Sequence, residues 1–202
     1  MLLYLIFIGA AVAAGLWIRQ GVRRDRFQSA VENLVDRQAE EAAGPLLVFI
    51  QDRVQNGLVR EWRFYIRYFA FRLAWANVWA CVDKFKVIAP RKLPWEDYAR
   101  KKVRSFFLEP PSELAILKLE KELDDKLAFY LNRVVQTGGG FAVQNCRSDI
   151  AAILKQRLFE PEGDPETLGP NFEEILGETI EVTGSRIEQE VKTNPAFRKK
   201  NK

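Results

Sequence analysis

Few residue types carry chemistry in proteins, and this chain lacks the commonest: it contains no histidine. That removes the most frequent general base and the most frequent metal ligand. Cys81 and Cys146 stand 65 residues apart, outside any CxxC spacing. Two thiols cannot complete a zinc site alone, so reduced, partly buried cysteines are expected. Gly138-Gly139-Gly140 has the composition of a phosphate loop, yet no GK[ST] follows it, and it reads as a helix stop. Asp124-Asp125 could act as paired acids. Adjacent helical residues diverge by ~100°, however, and Asp125 has Lys121 one turn behind it. The acids of the EPEGDPETLGP stretch lack the spacing of a calcium loop. GxSxG, SxxK and HExxH do not occur. No catalytic residue, cofactor site or metal site is nominated, and a non-enzymatic role is expected.

Binding chemistry is better represented. Residues 52–104 hold 13 bases and 5 acids, interleaved with aromatics. Arg60, Arg63, Arg67, Arg100, Lys101, Lys102 and Arg104 are the candidate contacts to a partner or to an anionic surface. Phosphate contacts plus base stacking would suit single-stranded nucleic acid, and the same charges would suit lipid headgroups. Glu96 and Asp97, four residues before Arg100 and Lys101, neutralise part of the cluster.

These residues need elements to hold them. The stretch LVREWRFYIRYFAFRLAWANVWACVDKF, residues 58–85, contains nine aromatics and four arginines. Its longest uncharged run is the ten residues Leu73 to Val82, far short of the ~20 a membrane span needs. Helical spacing instead gives two apolar seams. One is Phe64, Tyr68, Phe71, Trp75, Trp79 and Val82; the other is Trp62, Ile66, Phe69, Leu73, Ala76 and Ala80. Between them runs a strip of Arg60, Arg63 and Arg67, continued by Ala70, Ala74, Asn77 and Cys81. A central helix gripped on two sides is expected, with Phe64, Tyr68, Trp75 and Trp79 as a candidate aromatic interface.

At the N-terminus, residues 1–18 (MLLYLIFIGAAVAAGLWI) carry no charged side chain, and Arg19, Arg23, Arg24 and Arg26 follow. A helix of about 27 Å, slightly shorter than the hydrocarbon core, is expected there. The positive-inside rule predicts a single-pass anchor with its N-terminus outside and the rest cytoplasmic, as in a bacterial inner membrane. A cleaved signal peptide ending at Val12-Ala13-Ala14 is the rival, weakened by the absence of a basic side chain before the apolar run. Gly9, Ala10, Ala13, Ala14 and Gly15 offer small residues for close packing of membrane helices.

The remaining pattern is helical. Residues 19–43 predict a juxtamembrane helix broken by Gly44-Pro45, and residues 44–159 predict a helical core domain. Within that core, 95–108 and 113–136 read as amphipathic helices. The latter carries Lys118–Glu122, Lys121–Asp125 and Glu122–Lys126 pairs. Another helix is expected over 148–159 with Ser148 as its cap. Residues 160–202 predict an acidic linker, a short element opened by Asn171 and Glu174 as a capping box, and a loose basic tail. At 179–182, TIEV could instead alternate as a strand.

The expected class is all-α: one N-terminal transmembrane helix, then a multi-helix bundle around an aromatic-rich central helix. Charge is segregated along the chain, from +8 over 52–104 to −9 over 105–191. The expected function is that of a membrane-anchored structural or assembly subunit. Its helical domain would pack with other subunits, or with its own copies, in a membrane complex or a membrane-associated virus particle. The alternative is a membrane-tethered binder of nucleic acid or anionic lipid through 60–104. No small-molecule substrate is evident.

Overall fold

The computed structural model describes residues 2–54, 57–59, 62–87, 89, 98–99, 101–102, 105, 117–118, 121–122, 125, 142–159 and 163–197; of 2–20 and 142–146 it describes the backbone alone. Regular structure among these residues is entirely helical. The helices are α1 (Leu2–Arg53), α2 (Trp62–Lys84), α3 (Ala142–Phe159) and α4 (Asn171–Thr193). Single 3₁₀ turns, Pro165–Leu168 and Pro195–Phe197, flank α4.

Helix α2 is the centre, because apolar residues occupy almost its whole girth. Both predicted seams contribute buried side chains: Trp62, Phe64, Ile66, Tyr68, Phe69, Phe71, Leu73 and Val82. The strip between them behaves unexpectedly. Arg63 and Arg67 are exposed, but Ala70, Ala74, Asn77 and Cys81 are buried. Small side chains there let neighbouring helices come close, and the Asn77 Nδ2 donates to the Leu73 carbonyl at 2.8 Å, so its burial leaves that amide partnered.

Helices α1 and α4 clasp α2, both set by antiparallel contacts to each other. Phe49 stacks on Phe172, Arg186 pairs with Glu41, Arg37 with Glu190, and Phe27 meets Phe197 edge-on. One core cluster joins residues 42–50 of α1 and Val54 just beyond it to the first half of α2, to α3 and to the start of α4. A second joins residues 27–39 of α1 to the second half of α2 and the end of α4. Thus α2 and α4 run alongside each other, opposite to α1.

Gly44-Pro45 does not break α1, which runs unbroken through it. Proline removes one N–H, but Ala42, Ala43, Leu46 and Ile50 on either side are buried in the core and hold the turn. Glycine just before proline also avoids the clash that a Cβ would make there in helical conformation. Helix α3 begins at Ala142, ahead of the expected Ser148, whose hydroxyl donates to Glu173 at 3.0 Å. Helix α4 extends through 179–182, excluding a strand, and Asn171 is its first residue with no side-chain cap bond at Pro170. Gly177 lies buried there, where a Cβ would stand 3.3 Å from the Arg147 side chain of α3.

Two stretches that looked peripheral are part of the core. Leu168, inside the acidic 160–170 stretch, is buried, and Phe197, at the head of the basic tail, packs on Phe27. The end of α3 and the turn after it are pinned to the α1–α2 connection: Val59 N–H donates to the Leu158 carbonyl at 2.9 Å, and Gly163 approaches Gly57 so closely that a Cβ would overlap the Gly57 carbonyl oxygen. Gly57 itself sits at φ 88°, in the glycine-favouring region.

Among the described residues no helix is long and apolar enough to cross a membrane. The anchor expected at 1–18 falls on residues whose side chains lie outside the description, as do Gly9, Ala10, Ala13, Ala14 and Gly15; the backbone there from Leu2 is the start of α1. The 113–136 pattern lies mostly outside it too, although 117–118, 121–122 and 125 are helical.

Two substitutions check this architecture. Pro45→Ala should raise stability by about 1–2 kcal/mol in denaturant unfolding, since Ala restores a helical N–H and removes the ring clash. Gly163→Ala should cost about 2 kcal/mol or more, because the backbone of Gly57 blocks the new methyl. A neutral result for both would contradict the continuous α1 and the tight Gly57–Gly163 approach.

Candidate interaction surfaces

The aromatic seam divides in two. Phe64 and Tyr68 are covered by this chain, at 4% and 1% exposure. Trp75 and Trp79, two turns further on, are half-buried. They belong to a ladder of rings: Phe71 stacks on Trp75 at 6.1 Å, Trp79 meets Trp75 edge-on at 5.7 Å, and Tyr98 stacks on Trp75 at 5.8 Å. Such ring pairs add roughly 0.5–1.5 kcal/mol each beyond area burial.

Tyr98 ties this ladder to α1. Its hydroxyl donates to the Asp36 carboxylate at 2.7 Å and lies 3.3 Å from the Glu32 carbonyl. Burial first, and then the bond to Asp36, hold the phenol protonated well above the ordinary tyrosine range. Lys102, one helical turn after Tyr98, pairs with the same Asp36 at 3.0 Å and is 22% exposed. Asp36 and Tyr98 were not singled out by sequence. The available signal was the four-residue spacing of Tyr98 and Lys102, which puts both on one helix face.

The predicted basic residues are therefore not one surface. Arg63 lies over the Trp62 ring at 4.8 Å and reaches Gln51 at 3.5 Å. Arg67 lines a groove of about 160 Å³ whose floor is Ala39, Ala43 and Gly44, with Lys102 and Glu40 also at its edge. Lys101 is exposed. Arg60, Arg100 and Arg104 lie outside the described residues. Charge and aromatics also meet on the flank of the α1–α2 hairpin carrying Arg67, Lys102, Tyr98 and Trp75. A mixed groove of this kind suits a protein segment, since arginine and aromatics are the side chains enriched in interface cores.

Elsewhere polar pairs tie elements together. Arg157, 10% exposed, donates from Nη2 to both oxygens of Glu122 at 3.1 Å, so Glu122 serves a tertiary contact. Glu188 on α4 accepts from Lys192 at 2.6 Å and from Lys84 at the end of α2 at 3.2 Å. Chiefly through the Lys192 bond, these hold its carboxyl below the usual range. The contribution is present above the unfolded carboxylate pKa and is lost as pH falls through the lower folded value. Cys81 is buried, and that burial, with the nearby Glu188 carboxylate second, pushes its thiol up to about 11. Among the described residues no group of three or more His, Cys, Asp or Glu could hold a metal ion.

Comparison with family models, with curated proteins and with solved structures found no match.

Two measurements follow from these contacts. Tyr98→Phe keeps the ring ladder but leaves Asp36 without its phenol donor, and should cost about 1–2 kcal/mol. At this chain length that is a melting-temperature drop of roughly 2–8 °C. Alkylation of Cys81 in the folded protein, followed by peptide mass, should stay slow through neutral pH and accelerate only as pH approaches 11. Fast labelling of folded Cys81 at pH 8 would show that it is neither buried nor suppressed.

Proposed function

We propose that this protein is a membrane-anchored assembly subunit whose helical domain docks other protein chains at the cytoplasmic face of a membrane or within a membrane-associated particle. One observation carries the reading. Helix α1 is a single 52-residue element that includes both the uncharged N-terminal run and the wall of the core. Residues 21–26 are all exposed, so this part of α1 stands clear of the bundle before Phe27 enters the core. From Ile18 to Phe27 a helix rises about 13 Å, and Arg19, Arg23, Arg24 and Arg26 occupy that rise. An apolar span, a basic collar and a rigid strut into the core are what a fixed stand-off from a bilayer requires. The groove and the half-buried Trp75 and Trp79 supply the docking flank, and Gly9 and Ala13 the close approach within the membrane.

Nucleic-acid binding through 60–104 is the weaker reading, because Lys102 is held by Asp36 and Arg63 by the Trp62 ring. Membrane fractionation tests the proposal directly. The intact protein should stay with membranes through alkaline carbonate and be released only by detergent. Ala11→Arg with Val12→Arg, each costing about 2.5–3.5 kcal/mol at a span centre, should move it to the soluble fraction. Carbonate release of the unmodified protein would overturn the anchor. Crosslinking that captures no second chain, with or without bulky side chains at Gly9 and Ala13, would overturn the assembly role.

A further inference from the structure

Segments far apart in sequence bring positive charge to one end of the bundle, the end from which α1 leaves. Arg23, Arg24 and Arg26 are exposed on α1 just before Phe27. The antiparallel packing sets the C-terminal end of α2 at the same level, with Lys84 and Lys86 exposed. The end of α4 arrives there too: exposed Lys192 lies over the Phe85 ring at 5.2 Å. Phe197, directly followed in sequence by Arg198-Lys199-Lys200, sits on Phe27. Among the described residues these six bases outnumber Asp25, Glu32, Asp83 and Glu188, while Arg37 and Glu190 neutralise one another. Among the described residues the opposite end has the reverse balance, with Asp52, Asp164, Glu166, Glu173 and Glu174 against Arg53 and Arg63.

We infer that this end of the bundle is itself a lipid-binding surface, one that lies against the headgroups of an anionic bilayer and fixes the domain's orientation. The inference rests on the anchor reading and deepens it by naming the lipid class. Distance favours it. The bundle begins about 13 Å beyond Ile18, a headgroup layer of roughly 6 Å per leaflet takes up part of that gap, and a Debye length of about 8 Å spans the remainder. The side chains themselves reach further. Charge sign favours it as well: an anionic surface attracts the basic end and repels the acidic one, so both ends turn the domain the same way. The α1–α2 groove lies along the side of the bundle and stays open for protein.

The test uses the full chain reconstituted in vesicles of phosphatidylcholine alone or with phosphatidylglycerol. Carbonate resistance reports the anchor. Acetylation rates of Lys86 and Lys192, read by mass spectrometry against Lys155 on α3, report the surface. The inference expects Lys86 and Lys192 to react at least threefold more slowly in the anionic vesicles, with Lys155 unchanged. Raising salt to about 1 M, where the Debye length is ~3 Å, should erase the difference. The variant Arg23→Gln, Arg24→Gln, Lys86→Asn should also erase the protection of Lys192. All three positions are exposed, and Asn tolerates the positive φ of residue 86. Carbonate-resistant protein with equal lysine rates in both vesicles would overturn the surface and leave the anchor standing. Carbonate-released protein that still shows salt-sensitive protection on anionic vesicles would uphold the surface and remove the anchor. Loss of both signals would remove both.

Discussion

Enclosure of α2 is the constraint from which the rest of the fold follows. A helix with apolar or small side chains around most of its girth cannot lie on a surface, so neighbours must cover it on several sides. Tyr68, Phe69, Phe71, Ile66 and Leu73 are all fully buried, each worth about 1.5–3 kcal/mol against exposure. No single helix can supply that cover. Helix α1 takes one side along the full length of α2, α4 takes another, and α3 closes only the half that includes Phe64, Ile66 and Phe69. The half left without α3 is where Trp75 and Trp79 stay half-buried and where Tyr98 is drawn in to stack on Trp75.

The same constraint explains why α1 survives its proline. Breaking the helix at Gly44-Pro45 would save one missing hydrogen bond, a matter of roughly 3 kcal/mol. It would also pull Ala42, Ala43, Leu46 and Ile50 out of register with α2, at a cost of several buried side chains. Packing wins. The result is a helix held by the core on both sides of Pro45 and carried unbroken to the exposed 21–26 segment.

Periodicity made the helical class and the central position of 58–85 legible, because alternation at 3.6 residues survives in long elements. It failed where a residue's size leaves its environment open. Ala70, Ala74 and Cys81 fit a wet strip or a tight helix contact equally well, and only the arrangement of α1 and α4 decides between them. Isolated apolar residues failed similarly. Leu168 sits among acids and Phe197 among bases, so neither stretch has a pattern, yet each inserts one side chain that fixes the chain's path. At the groove, the basic cluster and its local acids are legible in sequence, but its partner Asp36 is not. Asp36 is 62 residues from Tyr98 and 66 from Lys102, and no local rule joins them.

Charge shows what folding adds to a sequence of this kind. Along the chain the signs come in blocks, a basic middle and an acidic C-terminal half, which suggests attraction between halves. In space those blocks are cut across. Helix α4, the acidic half's main element, meets α1 through Arg186–Glu41 and Arg37–Glu190, and meets α2 through Lys84–Glu188, so much of its charge is used in rim pairs. Such exposed pairs are worth at most about 1 kcal/mol each and do little for stability. What they do set is register, and register decides which charges remain at each end. Lys86 and Lys192 share an end of the bundle with the arginines of α1 only because α2 and α4 both run against α1. A single reversed helix would scatter the same residues to opposite ends, so the polarity of the domain is a property of topology, and composition alone would give no hint of it.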